Sequence, residues 1–324
     1  MNPKFSVILL TTLIGAGQGL FVAVFAVEVA ARFNWLPSPI RPWFFFYGAL
    51  VAFAFTAAGL VASFFHLGRP ERAWRSTTKW RTSWLSREVI ALPAFMAVAI
   101  AYALAHFLGW NGTYGSAPES IMDPTVLLGA VGSVLAFALY VCTGMIYACL
   151  PFLREWATPL TVINYMLLGL ASGFTLAAAA TLAAGAVLRF IATAALVLTV
   201  IALVGRAASL YRNARLRPKS TLQTAIGVKH PRIVQKSQGF MGGSFNTREF
   251  FHGRATATLR GVKWLFLLFT FVVPAAALAA GLAGGPRIAF AIAFVVQYVG
   301  LLAERWYFFA QANHPQNLYY QAIA

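Results

Sequence analysis

The chain has 324 residues, of which 60% are apolar and 10% charged, and its 25 Lys and Arg against eight Asp and Glu leave a formal net charge of +17. A soluble domain carries about 25% charged residues, so this chain has too few to clothe a globule in water. Its apolar content excludes intrinsic disorder, which needs low hydrophobicity, and it reads as an integral membrane protein.

A hydrocarbon core about 30 Å thick takes roughly 20 apolar residues per helix. Eight stretches qualify, near 6–31, 43–66, 85–109, 125–152, 159–185, 187–211, 260–283 and 287–311. Backbone in lipid must satisfy its own hydrogen bonds, so each span is a helix and the fold is all-α, a single membrane domain over 1–324. The first run is too long for a signal peptide and is interrupted by Gln18. The fifth and sixth spans are divided by a short turn near Gly185. Gly15 and Gly19, Gly169 and Gly173, and Gly281 and Gly285 stand four apart, a spacing that lets helices approach closely within one monomer. Cys142 and Cys149 lie two helical turns apart, about 10 Å and too far for a disulfide, and read as packing residues.

Eight spans put both termini on one face. That face gathers 21 of the 25 basic residues and leaves Arg32, Arg41, Arg189 and Arg287 on the other. The excess of Lys and Arg on inner loops makes the crowded face cytoplasmic. The acidic loop with Glu119 and Asp123, which has no Lys or Arg, then falls outside.

Few polar residues enter the spans: Gln18, Glu28, Asn164, Gln297 and Glu304. Glu28 and Glu304 fall toward helix ends, where solvation at the interface accounts for them. There is no carboxylate ladder for a proton pump. A transporter of a small anion is the rival class, although transporters usually show more polar groups at the midplane. No two of the five histidines sit deep in neighbouring helices, so no haem is expected in this chain.

The densest polar constellation joins the second and third spans over 67–84. His66 ends one helix and Glu88 begins the other with Arg87 beside it, and all three are candidate quinone-binding residues. An imidazole can donate to a quinone carbonyl and pass its proton on, and a part-buried carboxylate can exchange that proton with water. The plainer reading is an interfacial belt, with Trp and Arg against lipid and Ser83 or Ser86 capping the next helix. This loop carries Arg69, Arg72, Arg75, Lys79 and Arg81. The 47-residue loop 212–258 mixes further basic residues with Gly and aromatics, Phe240 and Arg248 among them. Anionic lipid would explain the charge, but a protein-docking surface explains the aromatic centre as well. Nucleic acid is not an expected partner beside eight spans.

Three segments resemble a known family. Met1-Asn2-Pro3 with Thr11-Thr12-Leu13-Ile14-Gly15-Ala16-Gly17-Gln18-Gly19-Leu20, His66-Leu67-Gly68-Arg69-Pro70, and Ser83-Trp84-Leu85-Ser86-Arg87-Glu88 are similar to the DmsC-like membrane anchors of the dimethyl sulfoxide reductase family. The stretch from Gly239 to His252 resembles the sulfite dehydrogenase branch, the SoeC-type anchors. The resemblance implies a bacterial inner-membrane anchor in a three-subunit complex. A catalytic subunit would hold molybdenum bis-pterin, a second subunit would hold iron–sulfur clusters, and the anchor would handle ubiquinone or menaquinone. It carries quinone roles to His66 and Glu88, and more weakly to Gln18. The basic face places docking on the cytoplasmic side, as in the sulfite-oxidising branch. An anchor running in reverse, with quinol reducing a sulfoxide or polysulfide, is the alternative within the family.

Overall fold

A computed structural model describes residues 1–36, 40–110, 123–181, 189–218, 220–236 and 249–318. The turn near Gly185, Glu119, and the docking residues Phe240 and Arg248 lie outside them. The spanning helices are α1 (Phe5–Arg32), α2 (Pro42–Phe64), α3 (Trp84–Phe107), α4 (Pro124–Ala148), α5 (Pro159–Ala180), α6 (Arg189–Ala214), α8 (Thr256–Leu282) and α9 (Ile288–Ala310). A five-residue helix α7 (Leu222–Ile226) interrupts the long loop. Each of the eight expected spans is therefore a helix, with ends shifted by a few residues. The shifts follow local chemistry. Pro42, Pro124 and Pro159 open their helices, where the missing N–H costs nothing. Ser83 caps α3 by accepting from the Ser86 amide at 3.4 Å.

Two helices are central. α1 has 72% of its most apolar window buried and α5 has 67%, against 28–39% for the other six. Glycine explains how they pack. A Cβ on Gly19 would stand 2.2 Å from the Gly169 carbonyl oxygen, and one on Gly173 would stand 2.1 Å from the Gly19 carbonyl carbon. The two backbones touch, and only hydrogen fits between them. The spacing of Gly281 and Gly285 marks no such crossing: Gly281 faces the Phe290 ring.

α8 holds a π-helical turn, Leu268–Val272. Pro274 has no N–H to return to Thr270 four residues earlier, so the Thr270 carbonyl is free. Gln297 of α9 fills the gap: its amide donates to the Thr270 carbonyl at 3.2 Å and to the Thr199 hydroxyl of α6 at 3.1 Å. Gly300 lets α9 approach, since a Cβ there would meet the Thr270 nitrogen at 2.4 Å.

The N-terminus and the segment that follows α9 lie at one end of the bundle. The Met1 amine donates to the Ala312 carbonyl at 2.8 Å, Lys4 pairs with Glu249 at 2.6 Å, and Phe250 stacks on His314 with ring centroids 3.7 Å apart. The loop after α2 joins this end as a 3-10 helix, Pro70–Lys79.

Gly173→Val is expected to destabilise the chain by at least about 1–3 kcal/mol, the range for overpacking, because both clashing groups are backbone. Gly261→Ala, where a Cβ meets nothing within 4 Å, is expected to leave the melting temperature in detergent unchanged. Equal melting temperatures for the two variants would show that the α1–α5 crossing gives way readily.

Candidate functional site

At the end that carries the N-terminus, α1, α3, α4, α5 and α9 surround a cavity of about 30 Å³, whose mostly apolar surface is interrupted by Gln18, Glu88, Thr143 and Arg305. The Ser83 cap starts α3 so that Glu88 falls one turn inside and points inward, with only 9% of the residue exposed. Its carboxylate accepts from the Thr143 hydroxyl of α4 at 2.5 Å. Gln18 lines the same space from α1 and donates to the Ala136 carbonyl at 2.9 Å. The Tyr140 ring lies against Gly169, and its hydroxyl donates to the Gly15 carbonyl at 2.7 Å, so the glycine crossing forms one wall. Such a volume holds one or two waters and is far below the roughly 300 Å³ of a small-molecule pocket. The cavity gives the buried carboxylate room for a water molecule.

The structure thus brings together two of the four residues expected to meet quinone. His66 does not line this cavity. It stands half-buried in the turn after α2, and its Nδ1 has no protein hydrogen-bond partner. Burial first and the Lys4 ammonium second hold this imidazole below its ordinary pKa, so it is neutral at pH 7. Arg87 also faces elsewhere. Its guanidinium lies 4.1 Å from the centre of the Trp84 ring and donates to the carbonyls of Trp80 at 2.9 Å and Arg81 at 2.8 Å, closing the loop onto α3. Arg69, Arg72, Arg75, Lys79 and Arg81 are exposed along the 3-10 segment beside Trp74 and Trp80, which are 65% and 53% exposed.

Glu28 and Glu304, expected at the interface, are both fully buried. Glu304 stands between two buried guanidinium groups, 2.7 Å from Arg206 of α6 and 2.5 Å from its neighbour Arg305. The Arg305 guanidinium lies 4.1 Å from the centre of the Tyr165 ring. Arg305 and Tyr165 line the Glu88 cavity and also a second cavity of about 10 Å³, which reaches Glu155, Asn164, Arg206 and Ser209. An adjacent Glu-Arg pair within an apolar span was the available signal, since lipid does not tolerate an unpaired charge. Glu28 sits at the opposite end, accepting from the Tyr102 hydroxyl at 2.7 Å, with His106 at 3.5 Å and Arg32 at 3.6 Å. Arg32 also pairs with Asp123 and donates to Thr125 at 3.2 Å.

Known proteins match this chain over its length. Residues 1–234 fit the family model described as DMSO reductase anchor subunit (DmsC). A sulfite dehydrogenase subunit from Allochromatium vinosum is 52% identical over 326 aligned residues, which cover 100% of both chains.

Glu304→Gln strips two buried guanidinium groups of their counter-charge and is expected to cost about 3–5 kcal/mol of stability, the range for breaking a buried pair. Lys4→Gln removes an exposed pair and is expected to cost less than about 1 kcal/mol. Thermal unfolding of both variants in one detergent checks the contrast, and equal shifts would sink it. Lys4→Gln is also expected to raise the His66 pKa. Because the folded pKa is depressed, protonating His66 destabilises the folded chain as pH falls below about 6.5. Removing Lys4 should shrink that loss, measured as an NMR titration of labelled histidine and as melting temperature against pH.

Proposed function

The chain belongs to the DmsC family of DMSO reductase anchor subunits, and from that premise we propose that it anchors a three-subunit molybdenum and iron–sulfur oxidoreductase and passes electrons from cytoplasmic sulfite oxidation to the quinone pool. The observation that carries the quinone role is Glu88, a carboxylate buried in lipid-spanning structure yet facing a water-sized cavity. Intramembrane carboxylates that face a cavity mark proton chemistry. The sulfite assignment rests on the full-length likeness to the sulfite dehydrogenase relative.

Ubiquinone or menaquinone would supply two-electron, two-proton chemistry, and this chain's residues would handle the protons. His66 does not line the Glu88 cavity, so the work divides. His66, neutral at pH 7 and half-exposed, offers a ring N–H to a carbonyl oxygen. Glu88, linked to Thr143 and lining the cavity, holds and releases the proton. Gln18 keeps the cavity polar at its inner end. The loops 67–84 and 212–258 would dock the iron–sulfur subunit, which in turn holds the molybdopterin catalytic subunit. Exposed Trp74 and Trp80 among five basic residues support this role. The collection of 21 of 25 basic residues on this face supports its cytoplasmic location at a bacterial inner membrane. A second reading reverses the flow, with quinol reducing a sulfoxide, and the family model's DMSO reductase description favours it.

Purification from native membrane in mild detergent is expected to bring along a molybdenum subunit and an iron–sulfur subunit, and the assembly is expected to reduce quinone with sulfite. A chain that emerges alone and metal-free under conditions that preserve other complexes overturns the anchor role. Quinol oxidation coupled to a sulfoxide, with no sulfite activity, selects the reverse direction. Within the assembly, His66→Leu and Glu88→Gln are each expected to cut quinone-linked turnover by about a hundredfold or more, while sulfite oxidation with a soluble dye persists. Reversing Arg72, Arg75 and Lys79 together to Glu is expected to release the iron–sulfur subunit, and retention would place the docking surface elsewhere.

A further inference from the structure

Glu88 is sealed from lipid, and the question is how protons reach it. The second cavity supplies a connection. Tyr165 and Arg305 form part of the lining of both cavities, so the two spaces share one partition. Glu155, half-exposed in the loop between α4 and α5 at the end that bears the N-terminus, also lines the second cavity.

Between these carboxylates the buried polar atoms outnumber their protein partners. The Asn164 amide donates to the Ser209 hydroxyl at 2.7 Å, while its Oδ1, the Arg206 Nη2 and the Arg305 Nη1 have no protein hydrogen-bond partner. Asn164 is 4% exposed, Arg206 2% and Arg305 4%. Buried polar atoms in native proteins are satisfied by protein or by ordered water, and these two cavities are sized for water. Charge does not bar the way. Arg206 and Arg305 carry two positive charges along the track, and the Glu304 carboxylate stands between them. Arginine keeps its proton, so the guanidinium groups orient water and do not relay. Of Tyr165 and Arg305, which line both cavities, Tyr165 has a hydroxyl, donor and acceptor at once, able to take a proton on one side and give one on the other.

From this geometry we infer that Glu155, water bound by Asn164, Ser209 and Arg206, and the Tyr165 hydroxyl form a proton track that supplies Glu88 from the end of the bundle bearing the N-terminus. The inference rests on the proposed quinone role for its purpose, though not for its existence. One proton enters from bulk water at the Glu155 carboxylate and one arrives at Glu88 for each transfer, and no other bond changes. Glu155 and Tyr165 act here through Glu88 and are positioning residues.

The test uses the assembly as purified, with two readouts. In sulfite-driven quinone reduction, Glu155→Gln is expected to lower kcat about tenfold, a modest fraction of a general acid–base effect, and to leave KM for quinone and the dye-linked rate unchanged. The loss should deepen as pH rises and free protons grow scarce. Glu155→Asp is expected to recover most of the rate, and Tyr165→Phe to lose as much as Glu155→Gln. Wild-type kcat in both variants across pH 6–8, or an effect confined to KM, overturns the track. The second readout needs no turnover. The Glu88 carboxyl band, assigned by its disappearance in Glu88→Gln, is followed by infrared spectroscopy during transfer into D2O. Glu155→Gln and Tyr165→Phe are expected to slow its exchange about tenfold, and exchange at the wild-type rate overturns the track. A wild-type assembly without quinone-linked turnover overturns the proposed function instead, and the exchange measurement still decides the track.

Discussion

Everything at the site depends on two backbones that touch. α1 and α5 cross through Gly19, Gly169 and Gly173 with no side chain between them. Lipid offers no hydrophobic drive for helices to associate, so this contact holds by close packing alone. It also sets the shape around it. Because Gly169 has no Cβ, the Tyr140 ring can lie against α5 and reach the Gly15 carbonyl. One wall of the Glu88 cavity is therefore made by a missing methyl group. Widening the crossing would move Gln18, Tyr140 and Tyr165 away from one another, and the polar space would lose its definition before the bundle lost its fold.

A second set of contacts pairs charged groups in the interior. Glu304 meets Arg206 and Arg305, Glu28 meets Arg32, and Arg32 also meets Asp123. Buried pairs of this kind contribute little net stability, because desolvation offsets attraction. They do tie particular helices together: α6 to α9 at one end, and α1 to the start of α4 at the other. The Gln297 bridge across α6, α8 and α9 does the same without charge, through the carbonyl that Pro274 leaves free.

How much of this was legible in the sequence depends on what kind of information a residue carries. The eight spans were, because length and hydropathy are properties of one segment. The Gly15/Gly19 and Gly169/Gly173 crossing was half legible: spacing announced close approach, but not which helix would be met, and the similar pair Gly281/Gly285 packs on Phe290 instead. Glu28 and Glu304 were misread because nearness to a helix end says nothing about azimuth, and both face inward. Glu88 and Gln18 could be nominated separately, while their sharing of one cavity is a tertiary fact. Arg87 has the composition of a ligand-binding residue and is spent on closing its own loop. The partners of Glu155 and Tyr165 come from segments far apart in the chain, so no local pattern foretold the second cavity.

The stretch of α1 between Gln18 and Glu28 has a consequence for energy conversion. Ten residues rise about 15 Å, and the side chains packed around that stretch, Phe21, Val24, Phe95 and Leu139 among them, are apolar and fully buried. This layer separates the Glu88 cavity from the Glu28 cluster like the dielectric of a capacitor. A membrane potential works at about 2.3 kcal/mol per charge for each 100 mV crossed, and it drops across that layer. On the proposed function, protons taken up at the Glu88 end would be consumed on the side from which they came. On the proposed function, turnover would neither charge the membrane nor be slowed by its charge, and the energy of sulfite oxidation would be stored wholly in the quinol that leaves.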